Sequence, residues 1–407
     1  VQRLSARWAP PRRLPRLDFS GGIPDNARTM VVIPTLLTSV RGVAELIEHV
    51  EVLALGNLDP RIHFAILGDF ADAPAREMPD DAVILAAARA GIVALNERLG
   101  EGRFYLCHRR RRWNPSENVW MGWERKRGKL EEWNRLLRGA TDSGESVIVG
   151  DPGIFPSVRY CLTLDSDTRL PRDAAKKLIG IIAHPLNRPH FDAGVGRVTE
   201  GYGILQPRVS VTMASAAGSL FARLYAGHTG VDPYTTAVSD TYQDLFGEGI
   251  FTGKGLYDVD AFTAALEGRV PDNALLSHDL FEGVYARTAL VTDLEVVDDY
   301  PASVLVHARR QHRWVRGDWQ ILRWLFPWVP SRSGLTRNRL PLISRFKIFD
   351  NLRRSLVPPA TVALLLLAWT VLQGTALAWT AAVLAAIAFP LYPILLAALR
   401  GPRSQQP

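Results

Sequence analysis

Apolar residues recur along this chain in two rhythms. Short unbroken runs come first: "TMVVIPTLL" at 29–37, "IHFAILGDF" at 62–70, "RFYLCH" at 103–108 and "RYCLTLD" at 159–165. Each is bounded by turn-forming residues, the mark of a buried strand. Between the runs the spacing becomes helical. Val40, Val43, Leu46, Ile47, Val50 and Leu53 share one face, residues 80–99 repeat the pattern, and "GKLEEWNRLLRG" (128–139) is amphipathic. Uniformly apolar strands alternating with helices predict an α/β fold, with a mostly parallel sheet covered on both faces. Ligands of such sheets bind beyond the carboxyl ends of the strands. Asp69 and Asp165 both stand at such ends.

Beyond Asp167 the pattern is mixed. A strand is predicted at 201–209, a long helix and loop within 210–245, and a glycine-punctuated segment at 247–262. A helix follows at 273–287, an edge strand at 292–301 and a long basic-aromatic helix at 303–326. There is no internal repeat.

The C-terminal region has a different character. No residue from Leu356 to Leu399 is charged, and Gly374-Thr375 divides this stretch into two segments. Each approaches the ~20 residues a bilayer requires, so two transmembrane helices are expected over 356–399. Arg353 and Arg354 precede the pair, and Arg400 and Arg403 follow it. Basic flanks at both ends place both ends in the cytosol. "RFKIFDNLRRSL" alternates apolar and basic residues, so 331–355 is expected to lie along the inner leaflet. Residues 400–407 would be a cytosolic tail.

Composition sharpens this. The chain has 407 residues, 47 % of them hydrophobic, and a formal charge of +7. The positive excess sits in two patches, Arg3, Arg7, Arg12, Arg13 and Arg16 at the start, and Arg332 to Arg354 before the membrane segment. Lying next to that segment, the second patch is assigned to a lipid surface rather than to nucleic acid. Residues 1–28 read as a basic, proline-rich linker. With no initiator Met, the chain is expected to be a piece of a longer parent. Its two cysteines, Cys107 and Cys161, sit in apolar strands and suit a reducing compartment, with no disulfide framework or zinc site.

Asp165-Ser166-Asp167 ends an apolar run with two carboxylates. Such a pair can hold one divalent cation, which eases the departure of a diphosphate; a plain turn is the competing reading. Asp279, with His278 and Glu282 beside it, can act as a general base, or the acids can simply favour a helix start capped by Ser277. Arg310, Arg313 and Arg316 fall three apart on one helix face, where guanidinium groups grip phosphates. Trp314 and Trp319 offer flat surfaces for a sugar ring. An amphipathic membrane-surface helix is the alternative. Lys126, Arg127 or Lys129 could meet phosphate at a helix N-terminus, though a solvated charged helix fits equally. The run Arg109–Arg112 reads as a solvated or interfacial loop. "GEGIFTGKG" departs from a phosphate-binding P-loop at Glu248 and Gly255. No G-x-S-x-G elbow and no H-E-x-x-H spacing occurs.

In order, Asp69, Asp165-x-Asp167, Asp279, Arg310-x-x-Arg313-Trp314 and then apolar helices resemble the processive family 2-like glycosyltransferases, which have a GT-A fold. The text is more similar still to the glycosyltransferase domain (family 84) of cyclic β-1,2-glucan synthases. The resemblance rests on "NPSENVWMGWERKRGKLEEWNRLLRG", "LTLDSDTRLPRDAAKKLIG", "AHPLNRP", "GYGILQPRV", "GKGLYDVDAF", "LLSHDLFEG", "RQHRWVRGDWQ" and "DNLRRSLVPP", from about residue 103 to 359. It implies a GT-A domain over 29–330 that transfers glucose, with inversion, from UDP-glucose to the 2-hydroxyl of a growing β-1,2-glucan. The enzyme would sit in a bacterial inner membrane with its catalytic domain in the cytosol.

Carried over by position, Asp69 would contact the uracil or ribose. Asp165 and Asp167 would hold the diphosphate with Mg²⁺ or Mn²⁺, and Lys129, Arg313 and Arg316 would join the nucleotide. Asp279 would be the base. Trp314, Arg310, His278 and Glu282 would meet the acceptor. Arg310 stands where the family usually has Gln, and Ser277-His278-Asp279 where it has T-E-D; both bear on how the acceptor end is oriented. Full-length relatives carry further membrane helices and carbohydrate-active domains absent here, so this chain is expected to elongate without closing rings. A synthase of another linkage and a non-catalytic membrane scaffold are the competing readings. A nucleotidyltransferase matches the aspartates but not the Arg-Trp helix.

Overall fold

The structure is a computed structural model that describes residues 9–10, 13–141, 144–229, 240–275, 279–372, 374–388 and 392. The chain falls into two compact units, 1–348 and 349–407.

Eight strands of the first unit form one sheet. They are β1 (Thr29–Leu37), β2 (Ile62–Phe70), β3 (Phe104–Arg109), β4 (Glu145–Val149), β5 (Tyr160–Thr163), β6 (Ile204–Val211), β7 (Gly255–Asp258) and β8 (Thr288–Asp298), in the spatial order β8-β6-β7-β5-β1-β2-β3-β4. β5, β1, β2 and β3 are mutually parallel, as are β6 and β8; β7 and β4 pair antiparallel with their neighbours. This mostly parallel sheet is the architecture the GT-A resemblance implied.

The alternation within β1 shows how the layers are built. Val31 and Ile33 face one core, with Val43, Leu46 and Val50 of α1 (Val40–Gly56), Ile84 and Ile92 of α2 (Asp81–Leu99) and Leu178 of α4 (Ala174–Ala183). Met30 and Val32 face the other, with Leu130, Trp133 and Leu137 of α3 (Arg125–Leu137), Phe262 of α5 (Val259–Leu266) and Phe281 of α6 (Asp279–Ala286). Residues two apart on a strand share a face, so unbroken apolar runs were required. Cys107 and Cys161 lie buried in the second core and form no disulfide, and burial pushes the Cys161 thiol up to about 12.

The strands at 29–37 and 62–70 coincide with the apolar runs that predicted them. The predicted 292–301 strand begins earlier and spans 288–298 at the sheet edge. The glycine-punctuated 247–262 contains β7, which pairs with β5. The helix expected at 303–326 is α7 (Val304–Gln320), followed by a single 3₁₀ segment, Ile321–Leu325. Two expectations about charge are corrected. Arg109 and Arg111 are buried rather than solvated, and α3 buries Arg127, Lys129, Glu132 and Asn134.

The segment expected to lie along a leaflet has another form. Residues 328–337 make a two-stranded hairpin, and from Leu342 the chain enters one helix, α8 (Leu342–Thr370), that also carries the first apolar run. Lys347 is buried and donates to the carbonyls of Glu248 and Gly249, both at 3.0 Å, so it belongs to the first unit rather than to a lipid headgroup layer. α8 is long and apolar enough to cross a membrane by length and composition. In the second unit, α9 (Ala376–Ala388) is apolar but has 13 residues, and Trp369 Nε1 donates to Thr380 Oγ1 at 3.0 Å. The remainder of the expected second span, 389–391 and 393–399, lies outside the described residues, as do Arg3, Arg7, Arg12, Arg400 and Arg403. Among the described residues there is therefore one candidate span, not a pair.

His108 supplies a pH signature for the folded first unit. It packs on Phe70, ring centroids 4.3 Å apart, and burial pushes its imidazole down to about 4. The unfolded chain takes up a proton between pH 6.5 and 4 that the folded chain refuses. Stability from this group is complete above pH 6.5 and is lost on acidification through that window, by up to about 3 kcal/mol. His108→Phe is expected to flatten the acid-side slope of the urea midpoint over this range. An unchanged slope would assign the acid sensitivity to other groups.

Candidate active site

The carboxyl edge of the sheet carries two charge clusters, both built on α3. The first is closed to solvent. Arg109, at the end of β3, grips Asp69 of β2 with two parallel bonds, Nε to Oδ1 at 2.8 Å and Nη2 to Oδ2 at 2.7 Å. Its Nη1 donates to Glu132 Oε2 at 2.8 Å and to the Trp123 carbonyl at 3.0 Å, and its Nη2 to the Arg125 carbonyl at 2.9 Å. Lys129 completes the cluster, 3.0 Å from Asp69 Oδ2 and donating to the carbonyls of Thr35 (2.7 Å) and Leu67 (3.0 Å). Burial alone would raise the Asp69 pKa, but Lys129 and Arg109 outweigh it and hold the carboxyl below its usual range. Gly122 lets the chain pass over this pair, since a Cβ there would come within 2.6 Å of the Asp69 carboxylate.

The second cluster opens toward solvent. Asp165 follows β5, and its turn is closed by the Thr168 amide donating to the Asp165 carbonyl at 3.0 Å. The Thr168 hydroxyl donates to Asp298 Oδ1 at 2.7 Å, tying this turn to the end of β8. The turn reading of Asp165-Ser166-Asp167 therefore applies. Lys126 Nζ lies 2.7 Å from Asp165 Oδ1 and donates to the Gly253 carbonyl at 3.1 Å. Lys254 Nζ lies 3.0 Å from Asp165 Oδ2 and 2.6 Å from Asp298 Oδ2. Burial would raise Asp165, yet the two lysines hold it well below the usual carboxylate range. Asp167 is raised instead, first by burial and then by Asp298 and Asp165, against the pull of Lys254 and Arg310. Asp279, the first residue of α6, closes the group. Gly253 has φ +88°, and a Cβ there would lie 2.7–2.9 Å from the Asp279 carboxyl. Lys126 is held protonated by Asp165 and Asp279 against burial.

Asp165, Asp167, Asp279 and Arg310 thus come together. Arg310 stacks over Trp314 at 5.7 Å, and Arg313 and Arg316 are exposed on the same helix, α7. Arg316 lines a crevice with Arg125 and Asn273. Three sequence expectations fall elsewhere. Both oxygens of Asp69 are taken by Arg109 and Lys129 in the closed cluster. Lys129 donates inward to the strand ends, and Lys126, one turn earlier, is the lysine at the open site. Glu282 is buried and lines a cavity of about 330 Å³ with Arg127, Asn134 and Arg332. His278 and Ser277 lie outside the described residues.

Sequence reasoning missed Lys254, Asp298 and the buried role of Arg109. Asp298 ends an apolar strand as Asp69 and Asp165 do, which was a usable signal. Lys254 was hidden in a segment set aside for failing as a P-loop.

The donors are carboxylate oxygens, the ligand type a hard divalent cation takes, and Asp167 is raised first by burial and then by Asp298 and Asp165. Among the described residues no three His, Cys, Asp or Glu side chains are gathered as a ready-made cage.

An α/β domain with carboxylates gathered at the carboxyl edge of its sheet has the architecture of a GT-A-like glycosyltransferase. No family model matches the chain. It is 48 % identical over 377 residues, 91 % of its length, to cyclic beta-(1,2)-glucan synthase NdvB of Rhizobium meliloti (strain 1021). It spans 13 % of that protein's length. Across nine-tenths of its residues the chain is therefore homologous to one segment of a cyclic glucan synthase, as a glycosyltransferase domain.

Arg109 fixes the backbone that presents Lys126, and losing it would leave buried Asp69 with Lys129 alone and buried Glu132 with only Arg112 and the Gly144 amide. Arg109→Ala is expected to cost about 3–5 kcal/mol, read as a lower urea midpoint. A midpoint within experimental error of wild type would show that this cluster is not structural.

Proposed function

We propose that the chain is a metal-assisted, inverting glucosyltransferase that elongates β-1,2-glucan from UDP-glucose. The observation that carries the reading is the gathering of Asp165, Asp279 and Lys126 around Gly253 at the carboxyl edge of the sheet. The linkage is taken from the name of the relative it resembles, and the donor from the resemblance to the glycosyltransferase family.

Asp279 takes the proton from the acceptor 2-hydroxyl as that oxygen attacks C1 of glucose. The new C1–O bond forms as the C1–O bond to the diphosphate breaks, and UDP leaves with the electron pair. One displacement inverts the anomeric centre. Mg²⁺ or Mn²⁺, held by Asp165 and Asp167, would supply charge neutralisation for the departing diphosphate. Arg313 and Arg316 reach for the same phosphates. Trp314 offers its face to the acceptor sugar, with Arg310 beside it, and the family resemblance assigns His278 to the same end. Asp69 and Lys129 support the nucleotide side from within the closed cluster. The chain works at a bilayer, α8 being the span that supports this, with its catalytic unit on the cytosolic side of a bacterial inner membrane. Further domains of a longer parent complete the cyclic product.

Incubating the membrane-embedded chain with UDP-[¹⁴C]glucose, Mn²⁺ and short β-1,2-oligosaccharides tests this. Labelled, longer β-1,2-linked products are expected, and EDTA should abolish them. A product of another linkage would replace the acceptor assignment, and no transfer or hydrolysis at all would favour a scaffold. Asp279→Asn is expected to keep UDP binding and lose about 10²–10⁴-fold in turnover. An undiminished rate would remove Asp279 from the base role.

A further inference from the structure

The two lysines of the open cluster are not equivalent. Each takes one oxygen of Asp165, so both faces of that carboxylate are engaged by ammonium groups. A cation that binds Asp165 competes with both ammonium groups for its lone pairs and is repelled by their charge. Lys254 is buried and also pairs with Asp298, whose side chain is fully buried, at 2.6 Å. Moving Lys254 would leave a buried carboxylate without its counter-charge, which is costly. Lys126 is differently placed. Its side chain is 28 % exposed, and its other hydrogen bond is to a neutral carbonyl, that of Gly253. It is therefore the lysine that can leave at lower cost.

Its position on α3 favours such movement. Lys126 is the second residue of the helix, directly after Glu124 and Arg125, which have φ of 49° and 50°. Left-handed backbone at two consecutive residues that are not glycine is strained, and the Arg109 bonds to the carbonyls of Trp123 and Arg125 hold it in place. The backbone is fixed, so any exchange of partner falls to the long side chain above it. Its ammonium bonds Asp165 and is coupled electrostatically to Asp279 as well, the two groups between which a donor diphosphate and its sugar would lie.

We infer that Lys126 is an exchangeable counter-ion: it neutralises Asp165 while no ligand is bound, and passes to the diphosphate when a divalent cation takes that carboxylate. Lys254 stays with Asp298 throughout. This inference rests on the reading under Proposed function. It makes Lys126 a competitor of the cation and a partner of the nucleotide, so one substitution shifts the two affinities in opposite directions.

The test is Mn²⁺ binding without nucleotide, by electron paramagnetic resonance titration, and UDP binding at saturating Mn²⁺, by calorimetry, on the whole chain. Lys126→Met is expected to bind Mn²⁺ about tenfold more tightly and UDP about tenfold more weakly than wild type, within the usual range of coupling between sites. Lys126→Arg keeps the charge and is expected to match wild type within a few-fold for both ligands. Equal or weaker Mn²⁺ binding in the Met variant, unchanged UDP binding in it, or tighter Mn²⁺ binding in the Arg variant would each overturn the inference while leaving the transferase reading intact. A wild-type chain that binds neither Mn²⁺ nor UDP would overturn both.

Discussion

A guanidinium that solvent scarcely reaches sets the geometry of this protein's carboxyl edge. Arg109 is 2 % exposed, and it joins β2 through Asp69, α3 through Glu132, and the turn before α3 through two carbonyls. Burying a charge costs several kcal/mol unless its hydrogen bonds are met. Here five donor contacts from one side chain meet them. The pairing leaves little slack, so the strained start of α3 is held where Lys126 points at Asp165. Small changes in the closed cluster should therefore be felt in the open one.

The open cluster shows how charge is apportioned when carboxylates converge. Asp165, Asp167, Asp279 and Asp298 come from three distant parts of the chain, delivered by the ends of β5 and β8 and the start of α6. Two lysines and Arg310 offset them incompletely. Asp165 is held low by its two lysines, while Asp167 is raised by burial and then by the neighbouring Asp298 and Asp165. On the proposed function, an incoming cation would meet carboxylate charge at Asp167 and a lysine-held ligand at Asp165.

How much of this could be read from the sequence depended on range. The strands were legible because both faces of a parallel sheet are buried and apolar runs result. β4 and β7 were not, because "ESVIV" is short and β7 lies in a glycine-rich stretch whose pairing with β5 is nonlocal. The aspartates at strand ends were legible, since a carboxylate closing an apolar run is conspicuous. Their partners were not. Arg109 looked like part of a solvated basic run, because burial of a charge depends on a counter-charge 40 residues away. The choice between Lys126 and Lys129 turned on helix phase, and three residues decide which lysine faces the strand ends and which the open edge. The membrane reading stands at one candidate span because α9 is short within the described residues.

The central claim is that one site at this edge holds both the cation and the nucleotide. Its most direct measurement is the broadening of the UDP phosphorus resonances by bound Mn²⁺. The account predicts strong broadening of both phosphates in the wild-type chain, lost when Asp165 and Asp167 are replaced by Asn. UDP that binds with sharp phosphorus lines in the presence of bound Mn²⁺ would place the two ligands apart and contradict the account.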